Sequence, residues 1–92
     1  MRRIIRVKPT RAQLLLRNVG VGTADKVRVK ISWGGTSVTL PQHTGFMMGP
    51  GDERRAGFDV PEALETIDSI EIELEDVLGN KISHLAKDRP IQ

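Results

Sequence analysis

Residues 26–33 read Lys-Val-Arg-Val-Lys-Ile-Ser-Trp, an alternation that puts Val27, Val29, Ile31 and Trp33 on one side and Lys26, Arg28, Lys30 and Ser32 on the other. A period of two is the pattern of a half-buried β-strand, because successive side chains of an extended chain point to opposite faces. The rest of the chain must therefore cover the apolar side of this strand and neutralise its basic side. Residues 69–76 answer with Ile70, Ile72 and Leu74 inward and Glu71, Glu73 and Glu75 outward, the same pattern with the charge reversed. These two strands are expected to lie side by side and antiparallel, with cations of one facing glutamates of the other.

Further strands follow from shorter signals. Residues 3–8 form a β-like run closed by Pro9, which has no N–H to give a ladder, so an edge strand is expected. Residues 11–17 place Ala12, Leu14 and Leu16 on one side. Gly34-Gly35 separates residues 26–33 from the β-branched residues 36–40, the signature of a hairpin. Residues 41–52 are punctuated by Gly45, Gly49, Pro50 and Gly51 and read as a loop with a short edge strand in it. Residues 53–60 turn Ala56, Phe58 and Val60 to one face, and residues 61–65 fit a single helical turn that starts at Pro61. Residues 81–86 return as the last strand after a turn at Leu78-Gly79-Asn80. The tail 87–92, which contains Pro90, is expected to fray.

Between residues 17 and 24, Gly20 and Gly22 are expected to supply positive φ, and Asn18 to bond its own backbone two residues on. About seven short strands with regular turn signals, and a Trp on the third, predict an all-β, two-sheet antiparallel sandwich of the immunoglobulin-like kind in one domain over residues 1–92. Within it, Trp33 is expected to be the largest core residue.

The segment Leu14-Leu15-Leu16-Arg17-Asn18-Val19-Gly20-Val21-Gly22-Thr23-Ala24-Asp25-Lys26-Val27-Arg28-Val29, and Gly49-Pro50-Gly51-Asp52 ahead of the Phe58 strand, resemble the small immunoglobulin-like modules called the cell-adhesion-related domain of bacteria, CARDB. In those modules an Asn-x-Gly segment joins two strands, and a Pro-Gly turn precedes a later one. The resemblance spans residues 14–60. It implies a non-catalytic spacer or adhesion-type module of the kind found in bacterial and archaeal envelope proteins. Beyond Val60 the chain departs from it, since residues 75–80 make a plain hairpin where those modules tend to close with an acidic, Asn-rich run.

Composition narrows the chemistry. The 92 residues contain no Cys, so no disulfide, thiolate metal site or Cys nucleophile is available, and 14 basic against 12 acidic residues interleave to a net charge of +2. His43 and His84 have no neighbour at metal-ligand spacing and are read as surface or hairpin histidines. Asp52 and Glu53 beside Arg54 and Arg55 read as a solvated charge cluster next to a turn. The glycines do not follow a strand and open a helix as a phosphate-cradling loop does. No enzyme activity, cofactor, metal or small-molecule substrate is expected, and no segment approaches the length of a membrane span, so no membrane insertion is expected. A start at Met1 without an export signal points to the cytoplasm for a complete chain, and an envelope or extracellular place follows if it is a piece of an exported protein.

Two binding readings remain. Phe46, Met47 and Met48 are three consecutive apolar residues in the most punctuated part of the chain, where alternation cannot hide all of them; with the nearby His43 they are the expected contact for a protein partner or for self-association. The competing account is that the segment seals an open edge of the sandwich. The alternative partner is nucleic acid, or another charged ligand, met by the basic stretch Arg2, Arg3, Arg6, Lys8 and Arg11. One Trp, two Phe and no Tyr leave few rings for stacking on bases or sugars.

Overall fold

A computed structural model describes residues 2–41 and 45–92. Eight strands are present among them: β1 (Arg2–Lys8), β2 (Arg11–Arg17), β3 (Ala24–Trp33), β4 (Thr36–Leu40), β5 (Phe46–Met48), β6 (Glu53–Asp59), β7 (Thr66–Glu75) and β8 (Lys81–Pro90). All pairing is antiparallel. One sheet has the order β1-β2-β6 and the other β4-β3-β7-β8, with β5 also paired to β3. The two sheets pack as a sandwich whose core includes Ile4, Leu14, Val27, Ile31, Phe58, Ile67 and Ile70.

The alternating residues of β3 account for its central place. Val27, Val29, Ile31 and Trp33 are buried as their parity requires. On the opposite face Arg28 stands across from Glu73 and Lys30 from Glu71, while Lys26 Nζ lies 3.2 Å from Glu75 Oε2. The third strand and the long acidic strand are thus neighbours, and the inserted β5 makes the acidic one seventh in the chain.

The alternation slips at one point that the sequence pattern conceals. Against both β5 and β7, β3 carries one extra residue between Ala24 and Arg28, a β-bulge, and Lys26 takes a φ of 50° there. The bulge requires close packing across the edge: a Cβ on Gly45 would run into the backbone of Lys26. Gly45 is the residue that lets β5 approach. β4 and β5 then divide one edge of β3, β4 pairing with Val29 to Trp33 and β5 with Ala24 and Val27.

Gly34 and Gly35 turn the β3–β4 hairpin with φ of 48° and 77°, both positive as a tight two-residue turn demands. Other details differ from the sequence expectations. Gly20 and Gly22 are not among the positive-φ residues; the bend is held by Asn18, whose Oδ1 accepts from Gly20 N at 3.0 Å and whose Nδ2 donates to Gly22 O at 2.9 Å. Residues 61–65 make a turn closed by Leu64 N donating to Pro61 O at 3.1 Å, not a helical turn.

The tail does not fray. β8 runs on to Pro90, which pairs with Thr66. Ile91 N then donates to Glu65 O, and Gln92 exchanges backbone hydrogen bonds with Ile4 and Arg6 of β1. The chain end thereby ties the five-stranded sheet to the edge of the three-stranded one.

Candidate functional site

Register brings three connections to one end of the sandwich. Arg17 pairs with Glu53, Ala24 with Met48, and Asp25 with Glu75, which in turn pairs with Lys81. The loops 18–23, 49–52 and 76–80 leave from those residues. Asn18 binds two of them together: its N–H donates to Asp52 O, its carbonyl accepts from Gly51 N, and its Nδ2 also donates to Met48 O at 3.0 Å. Asp76 organises the third, where Oδ1 accepts from Leu78 N and Asn80 N, and Oδ2 from the Asn80 amide at 3.0 Å. Hydrogen bonds from the Asn80 side chain, from its backbone and from Leu78 hold the Asp76 carboxyl below the ordinary aspartate pKa.

These built turns hold large apolar side chains in water. Val21 is 99% exposed, Leu78 83%, Val77 75% and Val19 72%. Met47, 57% exposed, stands at the same end on β5. Single exposed apolar residues are ordinary; here Val19, Val21, Met47, Val77 and Leu78 all lie at one end of the sandwich.

Of the expected contact segment, Met47 is exposed, Phe46 half-buried and Met48 buried. β5 explains the split, because an extended triplet must send its first and third side chains the same way, here toward the core. Met48 is therefore a core residue and not a surface contact. The segment seals part of the β3 edge and leaves the Met47 side chain exposed. His43 lies outside the described residues. His84 is on β8, exposed, opposite Ile72.

The basic N-terminal stretch is divided by the fold. Arg6 donates to the carbonyls of Pro9, Pro61 and Leu64, and Arg11 Nη1 lies 2.9 Å from Asp59 Oδ1. Both serve the structure. Arg3, Arg17 and Arg55 instead share the outer face of the three-stranded sheet around a cleft of about 350 Å³ at its end, which Arg2 and Arg54 border from the strands' other side. Arg54 also lies over the Phe46 ring, 5.4 Å from its centroid. Among the described residues no group of three His, Asp or Glu side chains is placed to hold a metal ion.

Comparison with protein-family models, with characterised proteins and with solved structures gives no match. The apolar loop tips and the arginine cleft were both missed by reasoning from sequence. Apolar residues inside turn segments, Val19-Gly20-Val21-Gly22 and Asp76-Val77-Leu78-Gly79, were a usable signal for the first. The second depends on register between residues some fifty positions apart and has no local signature.

Proposed function

We propose that this chain is a non-catalytic binding or structural module, an immunoglobulin-like domain of the CARDB-like kind, that meets a protein partner with the end of the sandwich carrying the loops 18–23 and 76–80 and with Met47 beside them. The observation that carries this reading is the display of Val19, Val21, Val77 and Leu78 on turns fixed by Asn18 and Asp76. Pre-ordered loops lose little entropy on binding, and apolar tips released from water supply the driving force. Loops positioned by a rigid β-scaffold are a common way for sandwiches to recognise partners. The strand order supports the immunoglobulin-like assignment, since β3 and β7, the third and the penultimate strands, are neighbours in one sheet while β2 and β6 pair in the other.

The test is capture of a partner by the immobilised chain, compared with a variant carrying Val21→Ser, Leu78→Ser and Met47→Ser. The three positions are exposed, so the variant should melt within a few degrees of the parent. Loss of a specific partner at unchanged fold supports the reading; undiminished capture by the variant overturns it.

A further inference from the structure

The cations of β3 and those at one end of the three-stranded sheet face different partners. On the five-stranded sheet, Lys26, Arg28 and Lys30 are each met by a glutamate of β7. On the three-stranded sheet, two successive cross-strand rows read Arg2–Leu16–Arg54 and Arg3–Leu15–Arg55, with no acid in either. The next row adds Arg17 opposite Glu53, whose carboxylate is 3.9 Å from the Arg17 guanidinium and is the one acidic group lining the cleft. Arg3, Arg17 and Arg55 thus share the outer face of the cleft with one glutamate, while strand parity turns Arg2 and Arg54, in line with buried Leu16, toward the other sheet, where Arg54 lies over Phe46.

Like charges gathered on one surface work against folding. Guanidiniums left together, each with a planar fork of donors, form a site for oxyanions, and carboxylates or phosphates take such forks in bidentate pairs. The surroundings choose between carriers of those groups. Between Arg3 and Arg55 lies the half-buried Leu15, with half-buried Ile5 beside it, an apolar floor between cations. No aromatic side chain lines the cleft among the described residues, so bases would find no stacking surface. β6, which carries Arg54 and Arg55, ends its sheet among the described residues and so offers backbone groups to an added extended chain.

We infer that the cleft between β1, β2 and β6 binds an acidic, extended protein segment, its carboxylates on Arg3, Arg55 and their neighbours and an apolar side chain on Leu15. This site stands whether or not the apolar loop tips bind a partner.

The test uses fluorescence anisotropy and amide chemical-shift mapping of the whole chain. The probes are a ten-residue peptide in which glutamate alternates with threonine around a central leucine, a thymidine oligonucleotide of equal charge, and inorganic phosphate. The peptide should bind with shifts concentrated in β1, β2 and β6. Arg3→Gln with Arg55→Gln should weaken it by about tenfold or more, as expected for loss of two charge-assisted contacts. Lys87→Gln with Arg89→Gln, exposed on β8 and equal in charge change, should weaken it far less. Trp33 emission checks that each variant is folded. Equal weakening by both pairs reduces the effect to net charge and overturns the inference. Tighter binding of the oligonucleotide assigns the cleft to nucleic acid, binding of phosphate alone makes it a free-anion site, and no binding removes it; each overturns the acidic-segment assignment.

Discussion

The Trp33 ring rests against the Phe58 ring, with centroids 5.9 Å apart and planes inclined at 35°, joining β3 of one sheet to β6 of the other. Both residues are almost fully buried. Tilted aromatic pairs of this kind add about 0.5–1.5 kcal/mol to the burial of the rings themselves. Trp33→Ala should cost about 3–5 kcal/mol, a large share of the stability of a small domain. Denaturant unfolding measures the loss, and native Trp emission should be blue-shifted and poorly quenched by iodide. A water-like, fully quenchable emission would place the ring outside the core.

The facing charges of β3 and β7 predict a salt-dependent contribution. Glu73→Arg sets two arginines opposite each other at Arg28 and should destabilise by about 0.2–1 kcal/mol, less in high salt. Adding Arg28→Glu restores the opposite charges in reversed order and should recover most of that loss. A double variant no more stable than the single one would show that these residues do not interact.

Gly45→Ala tests the bulge. The added methyl meets the backbone of Lys26, which cannot swing aside as a side chain would, so β5 must withdraw from β3. The expected loss is about 1–3 kcal/mol. Gly22→Ala, where a Cβ meets nothing and φ is not positive, is the matched control and should be nearly neutral.

Asp76 predicts the acid behaviour of the β7–β8 turn. Its pKa is lowered in the folded chain, so the contribution of the carboxylate is present above the ordinary value of 3.8 and is lost as pH falls through the lower folded value. Asn80→Ala removes the first cause of the shift and should move the carboxyl titration, followed by NMR, back up toward that value. An unchanged midpoint would mean that Asn80 does not hold the carboxylate.

The legible parts of this fold were those with a repeating period. Val27 to Trp33 and Ile70 to Leu74 declare their buried faces because parity in a strand is rigid, and their opposite charges announced that they were neighbours. The bulge at Lys26 was hidden because the pattern of side chains resumes in phase at Val27, and only φ and the partner register record the extra residue. β5 was half legible: three apolar residues signal neither period, yet the glycines around them left room for a short strand. The strand at residues 87–90 was missed because its pairing partner, the start of β7, holds it through backbone groups that carry no sequence signal. The candidate surfaces suffered likewise. Met47 was foreseen as part of a triplet, but the separation of Met47 from Met48 needed the strand parity of β5, and the arginine rows needed the register of three strands.

Photo-crosslinking from defined positions tests the proposed function most directly. A benzophenone side chain is placed at Leu78 on the loop-bearing end, and another at Thr36, exposed beside the β3–β4 turn at the opposite end. The account predicts one discrete adduct from position 78, abolished by the added substitutions Val21→Ser and Met47→Ser, and none from position 36. The same adduct from both positions, or a partner captured only from position 36, would contradict it.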